Sequence, residues 1–259
     1  MKPFIVIPAR YQSSRFCGKP LAEISGKPMI RWVAERTSAA YGSDRVIVAT
    51  DSNEIMHEMS DFQCIMTSEK CKTGTDRVAE VVEKIECCSD DVFINVQGDE
   101  PLIDPIDIKN IFETKLLDRR SVVSGMSTKQ HSLEIGNDRK IVKLVVGQNN
   151  YLMYASRHDI PFSKTQKDTF LKHVGIFAFS KWQLEKFACQ KDKTLCESTE
   201  DIEILRFLEL GIKVRMCEVK DSHSVDYLKD IDIVEKIINE TVDCNNDKLL
   251  PYSYAICPK

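Results

Sequence analysis

The stretch Ile5-Val-Ile-Pro-Ala-Arg10-Tyr-Gln-Ser-Ser-Arg15-Phe-Cys-Gly18-Lys19-Pro20 decides the fold. Its apolar opening reads as a strand covered on both faces, the kind found in parallel sheets. Ligands of open α/β sheets bind just beyond the carboxyl ends of such strands. Here Arg10, Arg15 and Lys19 are interleaved with Ser13, Ser14 and Gly18. Fixed positive charges beside small residues and backbone N–H groups suit a polyphosphate. A solvated basic loop is the alternative reading.

Outward from this segment, strand and helix signals alternate. Strands are predicted at Phe4–Pro8, Arg45–Thr50, Cys64–Met66 and Val92–Gln97, and helices at Pro28–Ser38, Asn53–Met59 and Asp76–Ile85. In the last helix Val78, Val81, Val82 and Ile85 form one apolar face. The pattern implies right-handed βαβ units and an α/β fold, with a mostly parallel central sheet flanked by helices. From Ser121 the rhythm changes to strands at Val122–Ser127, Ile141–Val146, Tyr151–Ser156 and His173–Phe179, a β-rich excursion suited to subunit contact. Helices at Lys181–Ala188 and Glu200–Glu209, a strand at Ile212–Val219 and a helix at Leu228–Glu240 follow. The expected organisation is a single domain over residues 1–241, with 121–180 contributing a β-rich substrate and dimer subregion, and a polar tail at 242–259.

Composition narrows the function classes. The 259 residues carry a formal net charge of −4, with 42% hydrophobic and 29% charged residues. That is ordinary for a soluble globular chain, and it argues against a bulk nucleic-acid binder, which needs a basic face. The N-terminus has no signal-peptide pattern, and no apolar run reaches the roughly 18 residues of a membrane span; a cytoplasmic protein is expected. Ten cysteines without a secretory signal or a C-x-x-C pair read as small thiols, not as a disulfide framework or a zinc site.

Two acids carry a case for Mg²⁺. Asn95-Val-Gln-Gly-Asp-Glu-Pro101 ends an apolar strand with Gly98, Asp99, Glu100 and a strand-breaking proline. A carboxylate there, facing a polyphosphate loop, is what Mg²⁺ needs, together with phosphate oxygens and waters. A turn in which Asp99 accepts backbone N–H groups reads equally well. Asp226, just before the last predicted helix, is a second candidate ligand and also a natural N-cap, with Asp221 and Asp230 as nearby competitors. Thr75 or Asp76 reads as the N-cap of the third helix, where Gly74 lets a flat base or a phosphate approach the positive helix end. Asp51, with Glu54 three residues on, reads as a structural capping box.

The ordered set Ile7-Pro-Ala-Arg10…Arg15…Gly18-Lys-Pro20, Ala49-Thr-Asp51, Gly74-Thr-Asp-Arg77, Asn95-Val-Gln-Gly-Asp-Glu-Pro101, Ser156-Arg157…Ile160-Pro161, Lys172-His-Val-Gly-Ile176 and Val225-Asp226 resembles the CMP-Kdo synthetases. These are the 3-deoxy-manno-octulosonate (Kdo) cytidylyltransferases of lipopolysaccharide and capsule pathways. The resemblance covers roughly residues 3 to 240. It implies a Rossmann-like nucleotidyltransferase fold, a homodimer, and a Mg²⁺-dependent reaction in which the anomeric hydroxyl of a 2-keto sugar acid attacks the α-phosphorus of CTP, giving CMP-sugar and pyrophosphate. On this resemblance Arg10, Arg15 and Lys19 would hold the triphosphate. Pro8, Ala9, Gly74, Thr75 and Gln97 would lie around the nucleotide, and Asp99 and Asp226 would bind the metal. Gln97, Arg157, His173 and Glu203 would face the sugar acid. An exposed helical ion pair of Glu203 with Arg206, a surface role for Arg157 and a satisfied core role for His173 are the plain alternatives.

Two departures stand out. Family members usually carry Tyr at the position of Phe177 and Gln at the position of Ile204. Losing a hydroxyl and an amide predicts a pocket for a less hydroxylated or differently substituted acid, with Kdo not the best substrate; a compensated pocket that still takes Kdo is the alternative. Transfer to a sialic-acid-type nonulosonate and a catalytically silent nucleotide-binding paralogue are the competing functions. The absence of G-x-G-x-x-G and Walker A motifs disfavours a dehydrogenase or a P-loop enzyme.

Overall fold

The computed structural model describes residues 2–12, 16–130, 138–165 and 168–246. The chain runs β1 (Phe4–Ala9), β2 (Glu23–Ile24), β3 (Lys27–Pro28), α1 (Met29–Tyr41), β4 (Val46–Thr50), α2 (Asn53–Glu58), β5 (Gln63–Met66), α3 (Gly74–Lys84), β6 (Val92–Val96) and α4 (Pro105–Leu117). It continues through β7 (Val122–Gln130), β8 (Lys143–Val146), β9 (Leu152–Ser156), β10 (Thr169–Ser180), α5 (Lys181–Cys189), α6 (Leu195–Glu200), α7 (Ile204–Glu209), β11 (Val214–Glu218) and α8 (Leu228–Asn246). The main sheet has the order β11-β7-β10-β6-β1-β4-β5. Its β1–β4, β1–β6, β4–β5 and β11–β7 pairs are parallel, and β10 alone runs against its neighbours. The mostly parallel α/β sheet expected from the sequence is what forms.

Strand alternation sorts the core onto two faces. Val6, Ile47, Ala49 and Phe93 point to the side covered by Val78, Val81 and Val82 of α3, Phe187 of α5 and Phe207 of α7. Ile5, Ile7, Val46, Val48 and Ile94 point to the opposite side, against Ile30 and Val33 of α1 and Ile108 and Ile111 of α4. Burial on both faces is why these strands read as continuous apolar runs. Helix α8 closes a smaller cluster, with Val234 and Ile238 against Ile24, Met29 and Val225.

Four expectations need correction. The sequence reading assigned no helix between Pro101 and Ser121, yet α4 fills 105–117, capped by Asp104 with Pro105 in its first turn; those two residues were the available signal. The single helix expected at 200–209 is two, because Asp201 takes a left-handed conformation (φ 55°) and ends α6. The 121–180 stretch is divided: β7 and the twelve-residue β10 enter the main sheet, and only β8 and β9 extend from it. Helix α8 runs to Asn246, past the expected end of the folded domain at 241; residues 247–259 of the expected tail lie outside the described residues.

Buried cations hold the helix layer together. Arg206, 1% exposed, donates through Nε and Nη2 to both carboxylate oxygens of Glu197 at 2.6 Å, and through Nη1 to Asp76 at 3.0 Å. This knot ties α6, α7 and the first turn of α3. Lys115, fully buried at the end of α4, donates to the carbonyls of Arg119 (2.9 Å) and Ser121 (2.6 Å) and to Gln183 Oε1 (2.8 Å). Burial pushes its pKa down from 10.5 to about 7. Between those values the unfolded chain binds the extra proton, so folding stability rises with pH. Chemical denaturation from pH 7 to 10.5 should show the native chain gaining up to about 1.4 kcal/mol per pH unit relative to Lys115→Met; parallel pH profiles for the two proteins would refute this.

Candidate active site

The ends of β1 and β6 lie side by side, and the next residues build the site. A Cβ on Gly98 would sit 2.8 Å from the Pro8 carbonyl oxygen, so only glycine lets the two strand ends approach this closely. Gly18, at φ 72°, turns the chain after β1 back toward β6, its N–H donating to Tyr11 O at 2.9 Å. Lys19 then donates through Nζ to Asp99 Oδ2 at 2.6 Å and to Val225 O at 3.0 Å, while Val225 N–H donates to Asp99 O at 3.0 Å. Three segments far apart in sequence therefore meet at one ammonium. Asp226, next to Val225, lines the same cavity of about 270 Å³, as do Pro8, Ala9, Arg10, Gly74 and Gln97. Arg15 lies outside the described residues.

A second cavity of about 540 Å³ adjoins the first through the shared residues Gln97, Asp99, Arg157, Asp201, Glu203 and Asp226. His173, Phe177 and Ile204 line it. The β10–β7 register slips between Val174 and Phe177, an irregularity of the kind that re-aims side chains beside a site. His173 Nε2 is 2.9 Å from Ser124 Oγ, and that hydroxyl donates to Ile176 O at 3.1 Å. With the hydroxyl proton so placed, Nε2 carries the imidazole proton. Burial, reinforced by Lys172 and Arg157, lowers the His173 pKa to about 4, so the ring is neutral at pH 7. Phe177 packs between the His173 ring (5.3 Å) and Phe179 (5.8 Å). It and Ile204 are buried, which gives this cavity an apolar floor.

Several expected roles change. Arg157 is no surface arginine: it donates through Nε to Glu200 O (2.8 Å), Nη1 to Arg139 O (3.0 Å) and Nη2 to Asp201 O (2.9 Å). Three of its five N–H donors therefore address backbone carbonyls, not open cavity. Glu203 is not paired with Arg206, which Glu197 and Asp76 occupy. Its carboxylate accepts from the N–H groups of Gly74 and Thr75, both at 3.1 Å, and from Thr75 Oγ1 at 2.7 Å. Burial raises its pKa, against those hydrogen bonds. The α3 N-cap is Thr73, in a capping box with Asp76, rather than Thr75 or Asp76. With Gly74, Thr75 and Asp76 N–H groups all engaged, that helix end is not open to a phosphate. The Asp226 N–H donates to Asp230 Oδ2 at 2.9 Å. Ser52 caps α2, and Asp51 instead accepts from Tyr11 N–H (3.1 Å) and Arg77 Nη2 (2.7 Å).

Sequence reasoning named Asp221 and Asp230 only as competitors to Asp226 and assigned no roles to Glu100, Lys129, Lys143 or Lys172, at and behind the wall of the second cavity. Lys172 donates to Asp221 Oδ1 (3.0 Å) and Ser222 O (2.6 Å), and Lys129 also pairs with Asp221. Glu100 accepts from Ser222 Oγ at 2.5 Å, and burial beside Asp99 pushes its pKa up to about 7. Lys143, fully buried, donates to Asp138 O (2.6 Å) and Arg157 O (3.1 Å). A lysine inside the apolar run Ile141-Val-Lys-Leu-Val-Val146 was the legible sign of that last role.

Comparison with known proteins agrees with this architecture. The family described as cytidylyltransferase matches residues 4–218. The chain is 40% identical over 242 residues to an 8-amino-3,8-dideoxy-manno-octulosonate cytidylyltransferase of Shewanella piezotolerans, covering 91% of this chain and 98% of that protein. It is 35% identical over 254 residues to a 3-deoxy-manno-octulosonate cytidylyltransferase of Actinobacillus succinogenes, covering 90% and 97%. A solved structure of CMP:2-keto-3-deoxy-manno-octonic acid synthetase complexed with CTP superposes with a TM-score of 0.84 at 35% identity, covering 93% of this chain and 100% of that one. With fold, strand-end geometry and near full-length similarity in accord, the chain belongs to the cytidylyltransferase family, in its CMP-Kdo synthetase group.

Proposed function

We propose that this protein transfers CMP from CTP to the anomeric hydroxyl of a 3-deoxy-octulosonate acid, Kdo or its 8-amino form, with release of pyrophosphate. The observation that carries the reading is the meeting of Lys19, Asp99 and the Val225–Asp226 segment where two cavities adjoin. The first cavity suits the nucleotide, with Arg10 and Lys19 as triphosphate ligands and Pro8, Ala9, Gly74 and Gln97 as its walls. The second suits the sugar acid and is lined by Gln97, Arg157, His173 and Glu203. Nucleotidyl transfer concentrates negative charge on phosphate oxygens, so fixed cations are the main catalytic device this chain supplies.

The donor set fits Mg²⁺. Asp99 and Asp226 would hold the ion, and among the described residues no group of three or more His, Cys, Asp or Glu side chains is gathered for a metal. Two carboxylates that leave the remaining positions to phosphate oxygens and water match Mg²⁺ preferences. Bound there, the ion would neutralise phosphate charge and align the triphosphate.

The 8-amino acid is the better fit of the two sugars. Phe177 and Ile204 offer a sugar hydroxyl no hydrogen bond, which suits a differently substituted acid, and the 40% identical Shewanella piezotolerans relative is an 8-amino-3,8-dideoxy-manno-octulosonate cytidylyltransferase. A homodimer is part of the same proposal and rests on the family resemblance.

The direct test is pyrophosphate release from CTP and Mg²⁺ with each sugar. The 8-amino acid should exceed Kdo in kcat/KM by about tenfold, the worth of one satisfied polar group; a preference for Kdo would remove that assignment. Asp99→Asn should lower kcat by roughly 10²–10³-fold, with little change in Tm because the Lys19 pair is partly exposed; wild-type turnover would dismiss the metal role. Because His173 stays neutral down to about pH 4, no inflection near pH 6.5 in the kcat/KM profile should disappear in His173→Asn. Loss of such an inflection would show a titrating ring.

A further inference from the structure

We propose that Glu203 is a positioning residue for the nucleotide half of the site, holding the first turn of α3 at the wall against which CTP lies. The inference rests on the reading that CTP occupies the first cavity. It assigns Glu203, which lines both cavities, a task toward the nucleotide side.

The geometry is specific. Both carboxylate oxygens are used across a separation of about 130 residues: Oε1 by Gly74 N–H, and Oε2 by Thr75 N–H and Thr75 Oγ1. An acid at a helix N-terminus is favourable, yet this one is half-buried beside a cavity meant for a polyphosphate, where a free negative charge would repel the ligand. Donation from the helix turn offsets that charge. The opposite side of the turn is equally constrained. A Cβ on Gly74 would lie 3.0 and 3.1 Å from the Gln97 amide and 3.3 Å from the Pro8 ring, both walls of the first cavity. The turn is thus wedged between Glu203 and the β1 and β6 ends, and a shift of a few tenths of an ångström would be felt where the nucleotide packs. Glu203 is itself anchored. Arg157 grips the carbonyls of Glu200 and Asp201 just before it, and Arg157 N–H donates back to Glu200 Oε2 at 2.9 Å.

The sign of one measurement decides the matter. Isothermal titration of CTP with Mg²⁺, without any sugar acid, compares the native chain with Glu203→Gln and Glu203→Asp. A glutamine sets an N–H against the N–H of Gly74 or Thr75, and an aspartate is too short to reach both. Each should weaken CTP binding by about tenfold, as expected for one unpaired buried donor. A residue that acted only through its charge would give the reverse for Glu203→Gln, because removing an anion near the triphosphate tightens binding. Equal or tighter CTP binding by Glu203→Gln, with only the KM for the sugar acid raised, would overturn the inference. Circular dichroism checks folding; should Glu203→Gln not fold, Glu203→Asp decides by the same criterion, since its charge is unchanged. Failure of the native chain to bind CTP would instead refute the proposed function.

Discussion

One ammonium organises this molecule's chemistry. Lys19 sits between a carboxylate at the end of β6 and a backbone carbonyl ahead of α8, and the chain after β1 carries it there. None of the three segments could be placed by local propensity, since one is a single 3₁₀ turn, one a loop and one a strand end. The parallel sheet brings β1 and β6 together, and Gly98 lets them touch; the lysine then draws in a segment some two hundred residues away. If that contact is lost, Asp226 has no reason to face the first cavity.

Much of this was legible. The apolar runs that became β1, β4 and β6 are covered on both faces, and such strands announce themselves in composition alone. The cation cluster after the first of them and the acid-rich end of the last identify a site because a parallel sheet aligns carboxyl ends. The residues His173, Phe177, Ile204 and Glu203 line one cavity. What did not read out has a common cause: its partners are distant backbone atoms. Arg157 addresses three carbonyls, Glu203 two amide groups on α3, and Lys143 two carbonyls. A sequence displays side chains, whereas an interaction with another segment's main chain leaves no mark at the receiving residue.

The helix boundaries failed for a related reason. Asp201 reads as an ordinary helical residue, and periodicity over 200–209 supports one helix. The break arises because Arg206 is held by Glu197 from the preceding helix and by Asp76 from α3. Those pairings fix α6 and α7 separately, leaving the connector to turn through a left-handed residue. Tertiary electrostatics outweighed local propensity there, which is the usual order of magnitudes for short helices.

That preference of buried cations for main-chain oxygens bears on how the protein can change. Arg157, Lys143 and Lys115 grip atoms that every amino acid possesses. Side chains along the sugar-facing surface can therefore be exchanged over generations without slackening the scaffold behind them. A lineage built this way is free to adopt new acceptor molecules while its handling of the nucleotide stays the same.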